Sequence, residues 1–438
     1  MSCFGVLQTR SVARITSLTR HFVTITMPPS HKPLQRALLL LPPAPSPPTY
    51  AALKAAYHAP LFSVLRALVR SPRRTQEPAV LEIALPCPHL YGHLNEPRGP
   101  LYAPTQRLVA DVYKLICIIA AKESIDMEDA EGVDARIVLV AYPRNGKLKQ
   151  PSEDARPEEE LQGPAIELHT LARSPRAWDA VYSVECEEGE GLLQHFISLS
   201  PSKRDVSRVR GGIVQIEVSE SAAAPPEPAN ALTNHLAVAV GGTFDHLHIG
   251  HKLLLTMFAF VLGRNSYSTA GHQPSSLTIG ITGDALLKNK KFAEHLESWQ
   301  TRQQAVHDFI SSLVYFGQPD DKRINAEEKN EPGPNGHAVY VTYPSGLIIK
   351  YVEIWDPFGP TITDESISAL VISLETRSGG TAVNNKRSEK GWDPLEVFEV
   401  AVLEASEEEN LDETFQSKLS STEIRRLRSE QGRPKAHA

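Results

Sequence analysis

An apolar strand that runs straight into two glycines and then into a helix bearing paired histidines leaves few folds open. Leu236 to Val240, followed by Gly241-Gly242-Thr243-Phe244-Asp245-His246-Leu247-His248-Ile249-Gly250-His251, is such a stretch. Gly241 and Gly242 let the backbone turn tightly and approach a ligand closely. His248 and His251 are three residues apart, so in a helical turn they share a face, and Gly250 between them leaves room for a nucleotide. A helix start adds unpaired N–H groups and the positive end of the helix dipole, both suited to phosphate. Taken singly, a Gly-Gly is usually a turn and a histidine is usually a surface or satisfied core residue. In this order and spacing the set is hard to explain as packing.

The flanking sequence alternates strands with helices, which implies parallel pairing through right-handed crossovers. After the strand Leu236 to Val240 come a helix His251 to Leu262, a strand Leu277 to Thr282, and a helix Thr301 to Tyr315 with Val306, Phe309, Ile310 and Leu313 inward. Strands Leu347 to Ile354 and Ala369 to Ser373, a helix near Ala382 to Lys390, a strand Val397 to Leu403 and a last helix from Ser421 complete the pattern. Residues 317–337 are rich in Asp, Glu, Lys, Asn, Gly and Pro and read as a polar, solvated insertion rather than an extra element. The expectation is an α/β domain, a doubly wound parallel five-stranded sheet of Rossmann-like type. Ligands of such sheets sit beyond the carboxyl ends of the strands.

With 438 residues the chain exceeds one ordinary domain of about 100 to 200 residues, so a second is expected. The Pro-rich passage Ser219 to Asn230 reads as the linker, which places a domain at 31–218 before it and the doubly wound domain at 231–438 after it. In the first, Arg36 to Leu41, Val80 to Leu85, Arg136 to Tyr142 and Ile213 to Val218 look like strands, and Leu108, Val109, Val112, Leu115, Ile116 and Ile119 line one helix face, so it too reads as α/β. His89-Leu90-Tyr91-Gly92-His93 in that half has the wrong spacing for the histidine motif and reads as a loop. Residues 1–30 read as a disordered leader. Arg10, Arg14 and Arg20 among the first 26, without an acid, also suit a mitochondrial presequence, so the expectation is a cytoplasmic protein with mitochondrial import as the alternative.

A net charge of −7 argues against a nucleic-acid backbone as partner. No apolar stretch approaches the roughly 20 residues that cross a bilayer, so no membrane partner is expected. Cys3, Cys87, Cys117 and Cys186 show no metal-ligand spacing, and no protein-bound metal is expected.

Two further blocks narrow the chemistry. Lys418-Leu419-Ser420-Ser421-Thr422-Glu423-Ile424-Arg425 precedes the last helix. Ser420 or Ser421 with Glu423 would make an ordinary helix cap, yet three hydroxyls and Arg425 one turn later also make a cradle for pyrophosphate. Thr282-Gly283-Asp284-Ala285-Leu286-Leu287-Lys288-Asn289-Lys290-Lys291 puts a lysine run at a strand's carboxyl end, with Arg302 on the next helix. The His-x-Gly-His element resembles the nucleotidyltransferase superfamily. The Ser-Ser-Thr block, the lysine string, and Ser373-Leu374-Glu375-Thr376-Arg377-Ser378-Gly379-Gly380 with Val383-Asn384-Asn385-Lys386-Arg387 resemble phosphopantetheine adenylyltransferases of the eukaryotic type. The likeness spans about residues 236–428, and the amino-terminal half resembles the poorly understood region that precedes this domain in fungal and animal homologues.

The resemblance implies a fold that agrees with the strand and helix pattern, and transfer of AMP from ATP to 4'-phosphopantetheine to give dephospho-coenzyme A and pyrophosphate. It implies that His251 contacts the α-phosphate with His248 beside it, that Thr243 orients the attacking phosphate, and that Lys290 sits at the reacting phosphates, with Lys288 and Lys291 close enough to share the assignment. Gly241, Gly242, Gly250, Ser420, Ser421, Thr422 and Arg425 would bind ATP and its phosphates. Arg302, Arg377 and Arg387 are further candidates for substrate contact, as is Asp245, which is read as structural ahead of a direct ligand. Mg²⁺ is expected with ATP, carried mainly by phosphate oxygens and water. The alternatives are a cytidylyltransferase, a nicotinamide mononucleotide adenylyltransferase, or a scaffold subunit in a complex with other coenzyme A biosynthetic enzymes. The missing motif glycine and second lysine weigh against cytidylyltransferases and aminoacyl-tRNA synthetases. The sequence contains no Gly-x-x-x-x-Gly-Lys-Ser/Thr loop, so the reaction is expected to stop at dephospho-coenzyme A.

Overall fold

The computed structural model describes residues 35–72, 77–127, 131–148, 160–213, 233–264, 274–403 and 419–431. The leader at 1–30, the linker at 219–230 and all but Ile213 of the strand expected at 213–218 lie outside them, and Ile213 itself is not in a strand.

The first sheet is built from β1 (Arg36–Leu40), β2 (Ala79–Pro86), β3 (Val133–Ala141), β4 (Ala165–Glu167), β5 (Ala180–Glu185) and β6 (Val206–Arg210). Helices α1 (Tyr50–Arg70), α2 (Gly99–Lys122), α3 (Leu168–Arg173) and α4 (Glu187–Leu199) connect or follow them. The order is β4-β3-β2-β1-β5-β6, parallel throughout. The chain grows outward from β1 to β4, then returns to the other side of β1, so the sheet is doubly wound with its switch point between β1 and β5. Strand β1 is apolar and buried from Ala37 through Leu40 because helices cover both faces. Edge strand β6, Val-Ser-Arg-Val-Arg, is mostly exposed, and its polarity hid it from a hydrophobic pattern.

The second sheet holds β7 (Ala237–Gly242), β8 (Ser276–Thr282), β9 (Asn325–Asn330), β10 (His337–Thr342), β11 (Ile348–Ile354), β12 (Ala369–Ser373) and β13 (Glu396–Val400). Its helices are α5 (Ile249–Val261), α6 (Trp299–Val314), α7 (Arg377–Glu389) and α8 (Ser421–Gln431). The order is β13-β12-β7-β8-β11-β10-β9. The five expected strands form its parallel part, with the switch point between β7 and β12. Residues 317–337 are not the insertion without an element that their composition suggested. They supply β9 and the first residue of β10, an antiparallel hairpin that widens the sheet to seven strands. Asn-Ala-Glu-Glu-Lys-Asn at β9 has no apolar period, since nearly every residue is exposed; pairing from His337↔Asn330 to Thr342↔Asn325 makes it a strand. Its charges blunt the sheet edge.

The two sheets share one continuous apolar core. Helix α5 is buried on nearly every side, through Leu253, Leu255, Met257, Phe258, Phe260 and Val261 among others, because it lies between its own sheet and α2. Among the described residues no helix is long and apolar enough to cross a membrane.

Candidate active site

The turn from β7 into α5 is held in an unusual backbone shape. Phe244 and His246 have φ of 52° and 47°, the left-handed region that costs a non-glycine residue about 1 kcal/mol or more. Gly242 is required by close approach, since a Cβ there would lie 3.0 Å from the Phe244 ring. The surroundings fix the strained turn. Asp245 Oδ1 accepts the Glu297 N–H at 2.9 Å, the His246 N–H donates to Glu297 Oε2 at 2.8 Å, and His246 Nε2 donates to the His295 carbonyl at 3.0 Å.

His248 is the N-cap of α5, and its Nδ1 accepts the His251 N–H at 3.4 Å, so the neutral ring carries its proton on Nε2. The His248 and His251 rings stack with centroids 3.8 Å apart at 18°. Burial pushes the His248 pKa well below its ordinary value, helped by the neighbouring His251, Lys252 and His246. Burial likewise pushes His251 down to about 4. Both rings are therefore neutral at pH 7 and offer N–H groups rather than charges. A Cβ on Gly250 would come within 3.2 Å of the His248 ring, which explains the glycine between them.

Helix α8 brings the hydroxyl block to the same place. The Ser421 hydroxyl donates to the Asp245 carbonyl at 2.7 Å, and a Cβ on Gly250 would lie 3.8 Å from the Leu419 carbonyl. Ser420 caps the helix, its carbonyl accepting the Ile424 N–H at 3.0 Å. Two helix starts thus converge, and each presents N–H groups and a positive dipole end. Lys288, Lys290 and Lys291 are exposed on the loop after β8, which α8 grips through Arg425 Nε and the Lys291 carbonyl at 3.1 Å.

Beside Gly241 and Gly242, over the switch point between β7 and β12, opens a cavity of about 540 Å³ lined also by Leu286, Ile354, Trp355 and Phe358. Such a volume suits a small-molecule site. Leu286 and Trp355 at its margin are each 52% exposed.

Residues 27–215 match the family described as "Domain of unknown function (DUF8446)". A Schizosaccharomyces pombe protein named only as uncharacterized protein C1F12.08 is 32% identical over 263 residues, 59% of this chain and 67% of its own length. The phosphopantetheine adenylyltransferase of Saccharomyces cerevisiae is 38% identical over 200 residues, 46% of this chain. That of Pyrococcus furiosus is 30% identical over 166 residues, 38% of this chain and 77% of that protein. Through its carboxy-terminal half, this chain belongs to the phosphopantetheine adenylyltransferase family. It spans 50% of the budding yeast relative's length.

Several family-motif residues do other work than the sequence suggested. Arg425 was expected as a fixed charge for phosphates, but it is 3% exposed and its Nη1 pairs with Asp245, itself fully buried, while Nη2 reaches Thr422 Oγ1 at 3.2 Å. Arg425 and Asp245 together tie α8 to the β7–α5 turn. Arg302, expected as a substrate contact, is fully buried and donates to the carbonyls of Glu297, Thr243 and Thr282 and to Asp284 Oδ1 at 2.6 to 3.0 Å. Arg387 is likewise corrected: its guanidinium serves the carbonyls of Thr361, Asp364, Glu365, Ile367 and Asp393, at the opposite end of the sheet. Arg377 is exposed beside the cavity and pairs with Glu399, Nε to Oε1 at 2.6 Å. Asp245, His246 and Glu297 have ligand atoms within 4.8 Å of one another; Arg425 and the Glu297 N–H engage Asp245 and the His295 carbonyl engages His246 Nε2, while His246 Nδ1 has no hydrogen-bond partner among the described residues and lies 3.5 Å from Glu297 Oε1.

Sequence reasoning missed Glu297, which braces the turn, and the cavity wall Trp355-Asp356-Pro357-Phe358-Gly359. An aromatic and Pro/Gly-rich segment directly after β11's carboxyl end was the available signal. His89, in the amino-terminal histidine pair, lies in a single 3₁₀ turn and meets Thr105 Oγ1 at 2.8 Å, a packing role.

Proposed function

We propose that this protein is a pantetheine-phosphate adenylyltransferase, transferring AMP from ATP to 4'-phosphopantetheine with release of pyrophosphate. The observation that carries the reading is the meeting of the α5 and α8 starts around two neutral, stacked histidines, next to a largely apolar cavity at the switch point. Relatives named phosphopantetheine adenylyltransferase support it.

The acceptor's phosphate oxygen attacks the α-phosphorus of ATP, forming the new P–O bond as the bond to pyrophosphate breaks, so no enzyme nucleophile is needed. The protein's task is to align two anions and stabilise charge that builds on the α-phosphoryl oxygens. Neutral His251 and His248 would donate N–H groups there without titrating near pH 7. Thr243 would orient the attacking phosphate, and the exposed lysines after β8, Lys290 foremost, would meet the phosphates. Ser420 and the N–H groups of the α8 start would hold the leaving β- and γ-phosphates. The buried carboxylates near the site are engaged by protein donors, so Mg²⁺ would arrive on the nucleotide, held by phosphate oxygens and water. The pantetheine arm would lie along the cavity of about 540 Å³, against Ile354, Trp355 and Phe358.

The test is direct. Purified chain is incubated with ATP or CTP and, in turn, 4'-phosphopantetheine, nicotinamide mononucleotide or a phosphorylated alcohol, and pyrophosphate is measured. Release with ATP and phosphopantetheine alone is expected. Release only with CTP, or only with another acceptor, refutes the reading.

A further inference from the structure

The amino-terminal domain has the fold of a nucleotide binder but a closed binding turn. A phosphate cradle at a doubly wound switch point needs successive backbone N–H groups. After β1 the turn runs Leu41-Pro42-Pro43-Ala44-Pro45-Ser46-Pro47-Pro48-Thr49, in which the five prolines have no N–H to give. The buried Tyr57 hydroxyl occupies the Pro42 carbonyl at 2.8 Å. Two arginines that this domain buries, Arg136 and Arg176, point instead toward helix α6 of the other sheet.

Lys252, the residue after His251, is 3% exposed, and its Nζ donates to Asp134 Oδ1 on β3 at 2.7 Å. Asp134 Oδ2 also receives Arg136 Nε at 2.8 Å, and Arg136 Nη1 donates to the Asp308 carbonyl of α6 at 3.0 Å. Burial opposes ionisation of Asp134, yet Arg136 and Lys252 hold its carboxyl well below the usual carboxylate range. A second buried pair, Glu82 and Arg176 at 2.9 Å, delivers Arg176 Nη2 to the Ser312 and Tyr315 carbonyls at the carboxyl end of α6, at 2.5 and 2.8 Å. That is where a cation complements the helix dipole. From its other end α6 sends Arg302 to the carbonyls of Thr243 and Thr282. Helix α5, which carries the histidines, and α6, which braces the turn through Arg302, are therefore both anchored by charged side chains of the amino-terminal domain.

We propose that the amino-terminal domain is a positioning element of the active site, in which Asp134, through Lys252, sets α5 and the His248–His251 pair at its start. The proposal rests on the adenylyl-transfer reading for its kinetic readout only. The double variant Asp134→Asn/Lys252→Met removes the charge pair and strands no lysine charge in the core, but it leaves the buried Arg136 guanidinium a neutral oxygen in place of its counter-charge, a destabilising loss, so its fold is checked first by circular dichroism. Turnover at saturating ATP and phosphopantetheine should fall about tenfold or more, because a displacement near 1 Å of a positioned group costs up to about a hundredfold. KM for each substrate should stay within about twofold, as an effect confined to the transition state requires. The imidazole resonances of His248 and His251, assigned with the single His248→Ala and His251→Ala variants, should shift in the same protein. Wild-type turnover with unmoved resonances in the folded double variant would overturn the proposal. Should that variant not fold, Asp134→Glu, which keeps the charge and displaces it by one methylene, is read by the same two measurements. Absence of adenylyl transfer in the wild-type chain sinks the functional reading alone, and the ring resonances still decide whether Asp134 sets the histidines.

Discussion

Replacing Asp245 with Asn separates a brace from a ligand. The side chain is fully buried, with Oδ1 on the Glu297 N–H at 2.9 Å and Oδ2 on Arg425, which is 3% exposed. Asparagine keeps the first bond and turns an amide donor toward the guanidinium, leaving a buried cation without a counter-charge. Breaking one side of such a pair costs about 3–5 kcal/mol. The cost falls on the docking of α8, since this eleven-residue helix can move away with Arg425 while the sheet stays packed. About 3 kcal/mol shifts that equilibrium a hundredfold or more. Ser420 and Ser421 would then leave the site in most molecules, and KM for ATP should rise about tenfold or more, in proportion to the lost competent fraction. Hydrogen exchange of 419–431 should lose its protection while the main calorimetric transition stays in place. Protected α8 amides with an unchanged KM for ATP would refute the argument.

His251→Ala should leave the fold intact and lower turnover by about a hundredfold or more, the usual loss of one transition-state donor; near-normal turnover of the folded variant would remove His251 from the chemistry. Stability should fall with acid in a defined window. The folded His251 pKa is depressed to about 4 from an ordinary 6.5, so above 6.5 the ring is neutral in both states and the fold carries no penalty. Between 6.5 and about 4 the unfolded chain takes up a proton that the folded chain refuses, which erodes stability by about 1.4 kcal/mol per pH unit. His248, shifted the same way, adds to the slope, and urea titrations of wild type and His251→Ala at pH 7.5 and 5.5 should differ by that amount. Trp355→Ala should raise KM for the acceptor and leave KM for ATP within about twofold; an equal rise in both would mean that the cavity does not hold the pantetheine arm.

Much of the site was legible in the chain because it obeys local rules. Gly242 and Gly250 answer to close approach, His248 and His251 to helical spacing, and Ser420 to capping, whereas a Cβ on Gly241 would meet nothing nearer than 3.9 Å. The arginines were not legible, because a guanidinium goes wherever carbonyls and carboxylates are left unpaired, and those lie far off in sequence: Asp245 for Arg425, and the Thr243 and Thr282 carbonyls for Arg302. Strand β9 was hidden for a related reason, its polar residues becoming a strand only beside β10.

The sequence by itself determined an alternating α/β chain, the strand-to-helix turn at 241–251 and the hydroxyl block at 420–425, since backbone sterics, helical period and capping act over a few residues. Only the tertiary structure decided that the two blocks meet at Asp245, and that α5 is pressed between its own sheet and α2 with Lys252 held by Asp134. Those outcomes follow from burial, which leaves a buried charge no water and obliges it to find its partner wherever the packing of both sheets has put one.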